Sequence, residues 1–85
     1  MWHLYLVRCN DGSLYTGIST DVQRRFDAHR QNRGARRLRG RGPLELVYSH
    51  AIGDRALALQ IEYRVKKLPK AEKERLVRGE AGLPV

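Results

Sequence analysis

The chain opens on a run of apolar and aromatic residues, Trp2 to Arg8. Cys9-Asn10-Asp11-Gly12-Ser13 breaks this run, and Leu14-Tyr15-Thr16-Gly17 resumes it. Two short strand-like runs around an Asp-Gly pair predict a β-hairpin. Loop length decides where its side chains point. A two-residue Asp11-Gly12 loop would set Val7 opposite Thr16 and send Tyr5 and Tyr15 to opposite faces of the sheet. A type I turn at Asn10-Asp11 with left-handed Gly12 gives a three-residue loop instead. Val7 then faces Tyr15, and Tyr5 lies diagonally from it on the same face, roughly 7–8 Å away. The three-residue loop is the expectation taken forward.

After the hairpin the period changes to that of a helix. Thr20 and Gln23 match a capping box, and Asp21 suits the positive end of the helix dipole. Val22, Arg25, Phe26 and His29 fall on one i, i+3, i+4, i+7 stripe, which in a surface helix is normally apolar throughout. Arg24 points elsewhere. A guanidinium and an imidazole on the inward stripe break the local rule, and such breaks concentrate at functional sites.

From Arg30 to Gly42 no apolar period survives. Six arginines are interleaved with Gly34, Gly40 and Gly42, without one acidic residue. One helical turn fits near Ala35-Arg36-Arg37-Leu38, while the glycines predict a mobile loop around it. Gly42-Pro43 ends the segment. Leu44 to Ser49 reads as a third strand, with Leu44, Leu46 and Tyr48 on one face and Glu45 and Val47 on the other. His50 at its end reads as incidental. Asp54 caps the longest helix, Arg55 to Leu68, whose core stripe is Leu57, Ala58, Ile61, Val65 and Leu68. Pro69 interrupts it. Lys70 to Arg78 forms a short charged helix with Leu76 and Val77 inward, stopped by Gly79, and Glu80 to Val85 is expected to fray. The order predicts an α+β domain, a small three-stranded antiparallel sheet flanked by helices, filling residues 1–79.

Composition sharpens this picture. Eighty-five residues make one small domain with a thin core. No run is apolar and long enough to span a membrane, and the N-terminus reads as a strand, not a signal peptide. The single cysteine, Cys9, excludes an internal disulfide and fits a reducing cytoplasm; a small residue at a strand end accounts for it. The formal charge is +8, and thirteen of the seventeen basic residues are arginine. Such an excess makes a polyanion the leading partner class, and arginine is suited to bidentate phosphate contacts. An anionic membrane is the weaker alternative, because no helix combines a basic face with bulky interfacial aromatics. Arg33, Arg36, Arg37, Arg39 and Arg41, with Lys66 and Lys67 of the later helix, are the candidate phosphate-backbone contacts; the competing reading is a solvated basic surface. Contacts of this kind confer affinity and salt sensitivity, not base readout, so nucleic-acid recognition by structure or ends is expected.

Taken together, His3-Leu4-Tyr5, then Tyr15-Thr16-Gly17 after the Asp11-Gly12 turn, then Arg25, His29 and Glu62, resemble the GIY-YIG nuclease domain over nearly the whole chain. Gly34-Ala35 and Arg39-Gly40-Arg41-Gly42-Pro43 look most like its small standalone bacterial members. They are also similar to the nuclease subunit of the eukaryotic junction-resolving complex. Each short motif alone is weak, whereas the ordered set with matching spacings is specific. The resemblance implies single-strand cuts in a nucleic-acid backbone with one divalent ion, Mg²⁺ or Mn²⁺. Tyr5 and Tyr15 match the motif tyrosines, Arg25 the family arginine, His29 the helix histidine or tyrosine, and Glu62 the metal-binding glutamate. The chain also departs from the pattern. His3 stands for the first motif glycine and Thr16 for the isoleucine of the second. Ile18 stands where the excision-repair nuclease subunit carries a lysine, and the late asparagine of homing endonucleases has no counterpart.

Hydrolysis of a phosphodiester needs an activated water, compensation for developing charge and help for the leaving oxygen. Glu62 reads either as an i, i+4 partner of Lys66 or as the ligand of a Mg²⁺-type ion. A tyrosine with an ordinary pKa of ~10 is a poor base at neutral pH unless Arg25 and a metal favour its phenolate. Either Tyr5 or Tyr15 takes the base or water-positioning role, with His29 as proton partner. Two other classes stay open: a non-catalytic basic nucleic-acid-binding module on the same fold, and a basic interaction protein docking on a larger assembly that supplies specificity.

Overall fold

The structure, a computed structural model, describes residues 1–84. Strands β1 (Trp2–Arg8), β2 (Leu14–Ser19) and β3 (Glu45–Gly53) form one antiparallel sheet in the order β2-β1-β3. Helix α1 (Val22–Arg30) follows the hairpin, and a 3-10 turn (Arg36–Leu38) lies in the basic segment. Helices α2 (Arg55–Lys66) and α3 (Lys70–Val77) follow β3. This is the expected α+β architecture.

Central strand β1 is covered on both faces, which is why its apolar run is continuous and not alternating. Leu4 and Leu6 pack on Ile61, Val65 and Leu76 of α2 and α3. Tyr5 and Val7 turn the other way, onto Phe26 of α1 and Leu38 of the 3-10 turn. Each fully buried aliphatic side chain contributes about 1.5–3 kcal/mol, so Leu4, Leu6, Val7 and Val65 anchor this thin domain.

The hairpin closes through the three-residue loop. Cys9 N–H donates to the Ser13 carbonyl at 2.9 Å, Gly12 N–H to the Cys9 carbonyl at 2.9 Å, and Gly12 has φ +87°. Val7 pairs with Tyr15.

Five local expectations, on three elements, are corrected. On β3, Val7 pairs with Leu46 but Leu6 with Tyr48, so the strand bulges at Val47. Leu44 and Leu46 therefore join the Tyr5 cluster, while Val47 and Tyr48 pack on the Leu4 side. The strand also runs beyond Ser49, because its His50, Ala51 and Gly53 find partners in Leu4, His3 and Trp2 of β1. The N-cap of α1 is Asp21 and not Thr20: its carboxylate accepts from Arg24 N–H at 3.1 Å, and Gln23 donates instead to Asp27 at 3.1 Å. On α2, Asp54 is the N-cap as expected, accepting from Leu57 N–H at 2.8 Å, but Leu57 itself is 42% exposed. The buried stripe is Ala58, Ile61 and Val65. The helix stops at Lys66 because Leu68, the residue before Pro69, is barred from helical geometry; Leu68 packs on the core from outside the helix.

Arg8 at the end of β1 holds α3 through a bidentate pair with Glu74, both contacts at 2.7 Å. Ala81 and Leu83, in the segment expected to fray, lie against the Leu76 cluster. The same expectation for Val85 falls outside the described residues.

Candidate active site

The register that pairs Val7 with Tyr15 puts both hairpin phenols on the α1 side of the sheet, where they meet His29. Ring centroids are 6.4 Å apart for Tyr5 and Tyr15, 5.9 Å for Tyr5 and His29, and 5.6 Å for Tyr15 and His29. Gly17 pairs with Tyr5 across the hairpin, and the phenol lies over it. A Cβ at Gly17 would stand 2.5 Å from both Cζ and Oη of Tyr5. The glycine of Tyr15-Thr16-Gly17 is thus a steric requirement of the site, not a turn signal.

His29 is 1% exposed. Its Nε2 lies 2.8 Å from Tyr5 Oη, and its Nδ1 accepts the Ala35 N–H at 3.1 Å. A neutral imidazole carries one proton. With Nδ1 engaged as acceptor, that proton sits on Nε2 and is donated to Tyr5 Oη. The Tyr5 O–H then points away from His29. Gly34 is what lets the backbone approach: a Cβ there would fall 1.9 Å from Nδ1.

Burial governs the electrostatics. Tyr5 is pushed up to about 12, first by burial and then by Tyr15, with Glu62 adding to the rise and Arg25 opposing it. Burial also raises Tyr15, opposed by the charges of Arg25 and Arg37 and reinforced by Glu62. Burial and then Arg25 push His29 down, so it is neutral at neutral pH. Arg25 from α1 and Glu62 from α2 are therefore within electrostatic reach of the same phenols. Arg25 is exposed. The Glu62 side chain is only 17% exposed, with Lys66 Nζ at 3.5 Å.

Among the described residues no group of three or more His, Cys, Asp or Glu gathers around a common point. A closed protein cage for a metal is thus excluded there. A lone, mostly buried carboxylate such as Glu62 is the donor type that fits Mg²⁺, which keeps several waters and takes few protein ligands.

The basic segment, with the expected turn at Arg36–Leu38, is tied to the core. Leu38 is 2% exposed in the Tyr5 cluster, and Gly40 N–H donates to Asn32 Oδ1 at 3.1 Å. Asn10 N–H donates to the Arg41 carbonyl at 2.9 Å. The sequence counted arginines and glycines here and missed the one leucine that ties them down. Arg33, Arg36, Arg37, Arg39 and Arg41 are all exposed. Arg33 bonds Gln31, and Arg41 pairs with Asp11 at 3.2 Å. Lys67 lies over the exposed Tyr63 ring, 4.3 Å from its centroid. Lys73 escaped the sequence reading altogether, yet it lines a cleft with Tyr15, Arg37 and Lys66. The available signal was its place three residues before Leu76, on the inward side of a charged helix.

Two phenols and a buried imidazole share one sheet face, with a guanidinium and a carboxylate in electrostatic reach, on a small α+β scaffold of the GIY-YIG kind. Residues 1–75 match the family model of the GIY-YIG catalytic domain, and the chain belongs to that family. Within it the chain resembles the UPF0213 proteins. It is 60% identical over 79 residues to a UPF0213 protein of Klebsiella pneumoniae, covering 93% of this chain and 74% of the relative. It is 58% identical over 81 residues to UPF0213 protein YhbQ of Escherichia coli K12, covering 95% and 81%. The solution NMR structure of a UPF0213 protein from Bacillus halodurans superposes with TM-score 0.59 at 43% identity, over 96% of this chain and 88% of that one. Among the described residues no helix is long and apolar enough to cross a membrane.

Proposed function

We propose that this chain grips the backbone of structured DNA through its basic segment and hydrolyses phosphodiester bonds where half-buried Tyr15 brings the Tyr5–Tyr15–His29 cluster to the surface, as a divalent-metal-dependent endonuclease. The observation carrying this reading is the hydrogen bond from His29 Nε2–H to Tyr5 Oη, in a cluster within electrostatic reach of Arg25 and Glu62. A purely structural core does not need that polar constellation.

Each side chain has a role set by its environment. Exposed Arg25 binds the non-bridging oxygens of the phosphate, where its charge offsets the one that develops in the transition state. Glu62 would hold the Mg²⁺ or Mn²⁺ ion, which supplies charge neutralisation and acidifies its bound water. Tyr15 is the better base or water-positioning group: it is only half-buried, and Arg25 and Arg37 oppose the rise that burial and Glu62 give its phenol. Tyr5, pushed up to about 12 and 1% exposed, keeps its proton and positions its neighbours. His29 cannot take that proton, because Nε2 already carries one; it holds the Tyr5 oxygen in place.

A second reading is a non-catalytic nucleic-acid-binding module, favoured by the Glu62–Lys66 ion pair at 3.5 Å, which occupies the carboxylate. A panel of labelled forks, flaps, junctions and hairpins, made as DNA and as RNA, separates the two. With Mg²⁺ or Mn²⁺ the wild type is expected to nick structured DNA, and Glu62→Ala and Arg25→Ala to lose at least tenfold in rate. Salt-sensitive binding that survives Glu62→Ala, without cleavage under either metal, would establish the binding module. Equal nicking by all three proteins would expose a contaminating nuclease.

A further inference from the structure

The cleft beside Tyr15 wraps the outer edge of β2. Tyr15 and Thr16 form its floor, Arg36 and Arg37 of the 3-10 turn one wall, and Lys66 of α2 with Lys73 of α3 the other. Its volume is about 440 Å³. At about 30 Å³ per water molecule, that is room for a phosphodiester with its sugars, not for a single ion. Four cations from three separate elements face one another here. Lys66 has Glu62 at 3.5 Å, while Arg36, Arg37 and Lys73 have no carboxylate partner among the described residues. Lys70, on the same helix as Lys73, shows the ordinary arrangement, paired with Glu74 at 2.8 Å. Gathering like charges without a counter-charge opposes folding, so the arrangement is explained by an anion that arrives afterwards. Burial, then Arg37 and Lys66, pushes the Lys73 ammonium down, in keeping with that crowding.

A second, uncharged observation points the same way. Thr16 is 3% exposed, and its Oγ1 has no hydrogen-bond partner. A buried hydroxyl without a partner destabilises a fold.

We propose that this cleft, which shares Tyr15 with the candidate active site, binds a backbone phosphodiester next to the scissile one, with Lys73 and Arg37 as its cationic contacts and Thr16 Oγ1 as its hydroxyl donor. The inference rests on nucleic acid being the ligand, but not on its being cut. It routes the bound strand from the arginine segment over the edge of β2 to α3, and it adds a helix that the arginine count alone would leave out.

The test is fluorescence anisotropy of a labelled DNA flap in EDTA, between 50 and 200 mM salt, with the full chain. Lys73→Gln should flatten the slope of log K against log salt by about 0.7–0.9, the value of one phosphate contact. Arg24→Gln removes the same charge from the far face of α1 and should leave the slope nearly unchanged. Thr16→Val should raise the melting temperature while weakening binding several-fold, a combination that a structural threonine does not produce. If Lys73→Gln and Arg24→Gln behave alike, or Thr16→Val binds as tightly as wild type, the cleft is no phosphate site. Failure of the wild type to bind any DNA would instead remove the nucleic-acid reading itself. Loss of nicking alone would leave the cleft untouched.

Discussion

Replacing Gly34 with alanine probes the seam between the basic segment and the buried histidine. The new methyl would lie 1.9 Å from His29 Nδ1, 2.7 Å from Cε1 and 2.8 Å from Cγ. The ring cannot swing aside, because it is 1% exposed and pinned at Nε2 by Tyr5. Restoring ordinary contact therefore displaces the backbone around Gly34 by roughly 1–1.5 Å, given normal carbon contacts of about 3.5 Å. The Ala35 N–H to Nδ1 bond, 3.1 Å long, does not survive such a shift. Leaving a buried acceptor unpaired costs about 1–3 kcal/mol, and the entropy gained by removing a glycine returns about 0.4–1 kcal/mol. A net loss of ~1–2 kcal/mol corresponds to a drop in Tm of roughly 4–16 °C for a domain of this size. Thermal unfolding followed by circular dichroism measures it. Long-range ¹H–¹⁵N NMR of the imidazole supplies an independent readout: wild type should show the Nε2–H tautomer alone, and the variant a mixture. A variant that melts with the wild type and keeps a pure Nε2–H tautomer would refute the coupling.

Three further outcomes follow from the same geometry. Gly17→Ala should expel the Tyr5 ring from its place over β2, and near-ultraviolet circular dichroism should register the loss of the tyrosine packing even where the fold persists. Because the folded pKa of Tyr5 is raised from 10.0 to about 12, the unfolded chain ionises first as pH rises. Stability should therefore fall between about pH 10 and pH 12, and Tyr5→Phe should remove much of that alkaline loss in a urea titration. Glu74 runs the opposite way. Arg8 first and then Lys70 hold its carboxyl near about 2 against an ordinary 4.5. Its contribution is present above pH 4.5 and fades as pH falls toward 2, so Glu74→Gln should be less stable at neutral pH and show a shallower acid transition.

The sidedness of the phenols could be anticipated because hairpin register follows from local turn chemistry. Of Asn10, Asp11 and Gly12, the glycine takes the left-handed bulge position at least cost, and that choice places Tyr5 and Tyr15 together. Asp54 as a cap and Pro69 as a stop are likewise local, since both act on backbone groups within a turn of themselves. The bulge at Val47 was not legible, because nothing in Leu44 to Ser49 interrupts the alternation; it arises from fitting β3 against β1. Leu57 illustrates the converse, a residue on the helical period that finds no element to cover it.

What the chain alone determined was the kind of molecule: a small, strongly basic α+β domain whose inward helix stripe is interrupted by Arg25 and His29. Those features depend on composition, on turn residues and on a period of three or four, all of which act over short distances. Tertiary structure decided which groups touch. The Ala35 N–H on His29, and with it the tautomer presented to Tyr5, depends on Gly34 docking against a helix that ended before it. The gathering of Arg37, Lys66 and Lys73 around Thr16 joins three elements across the edge of a sheet. Contacts between segments distant along the chain are set by packing and by excluded volume, and no local pattern of residues encodes them.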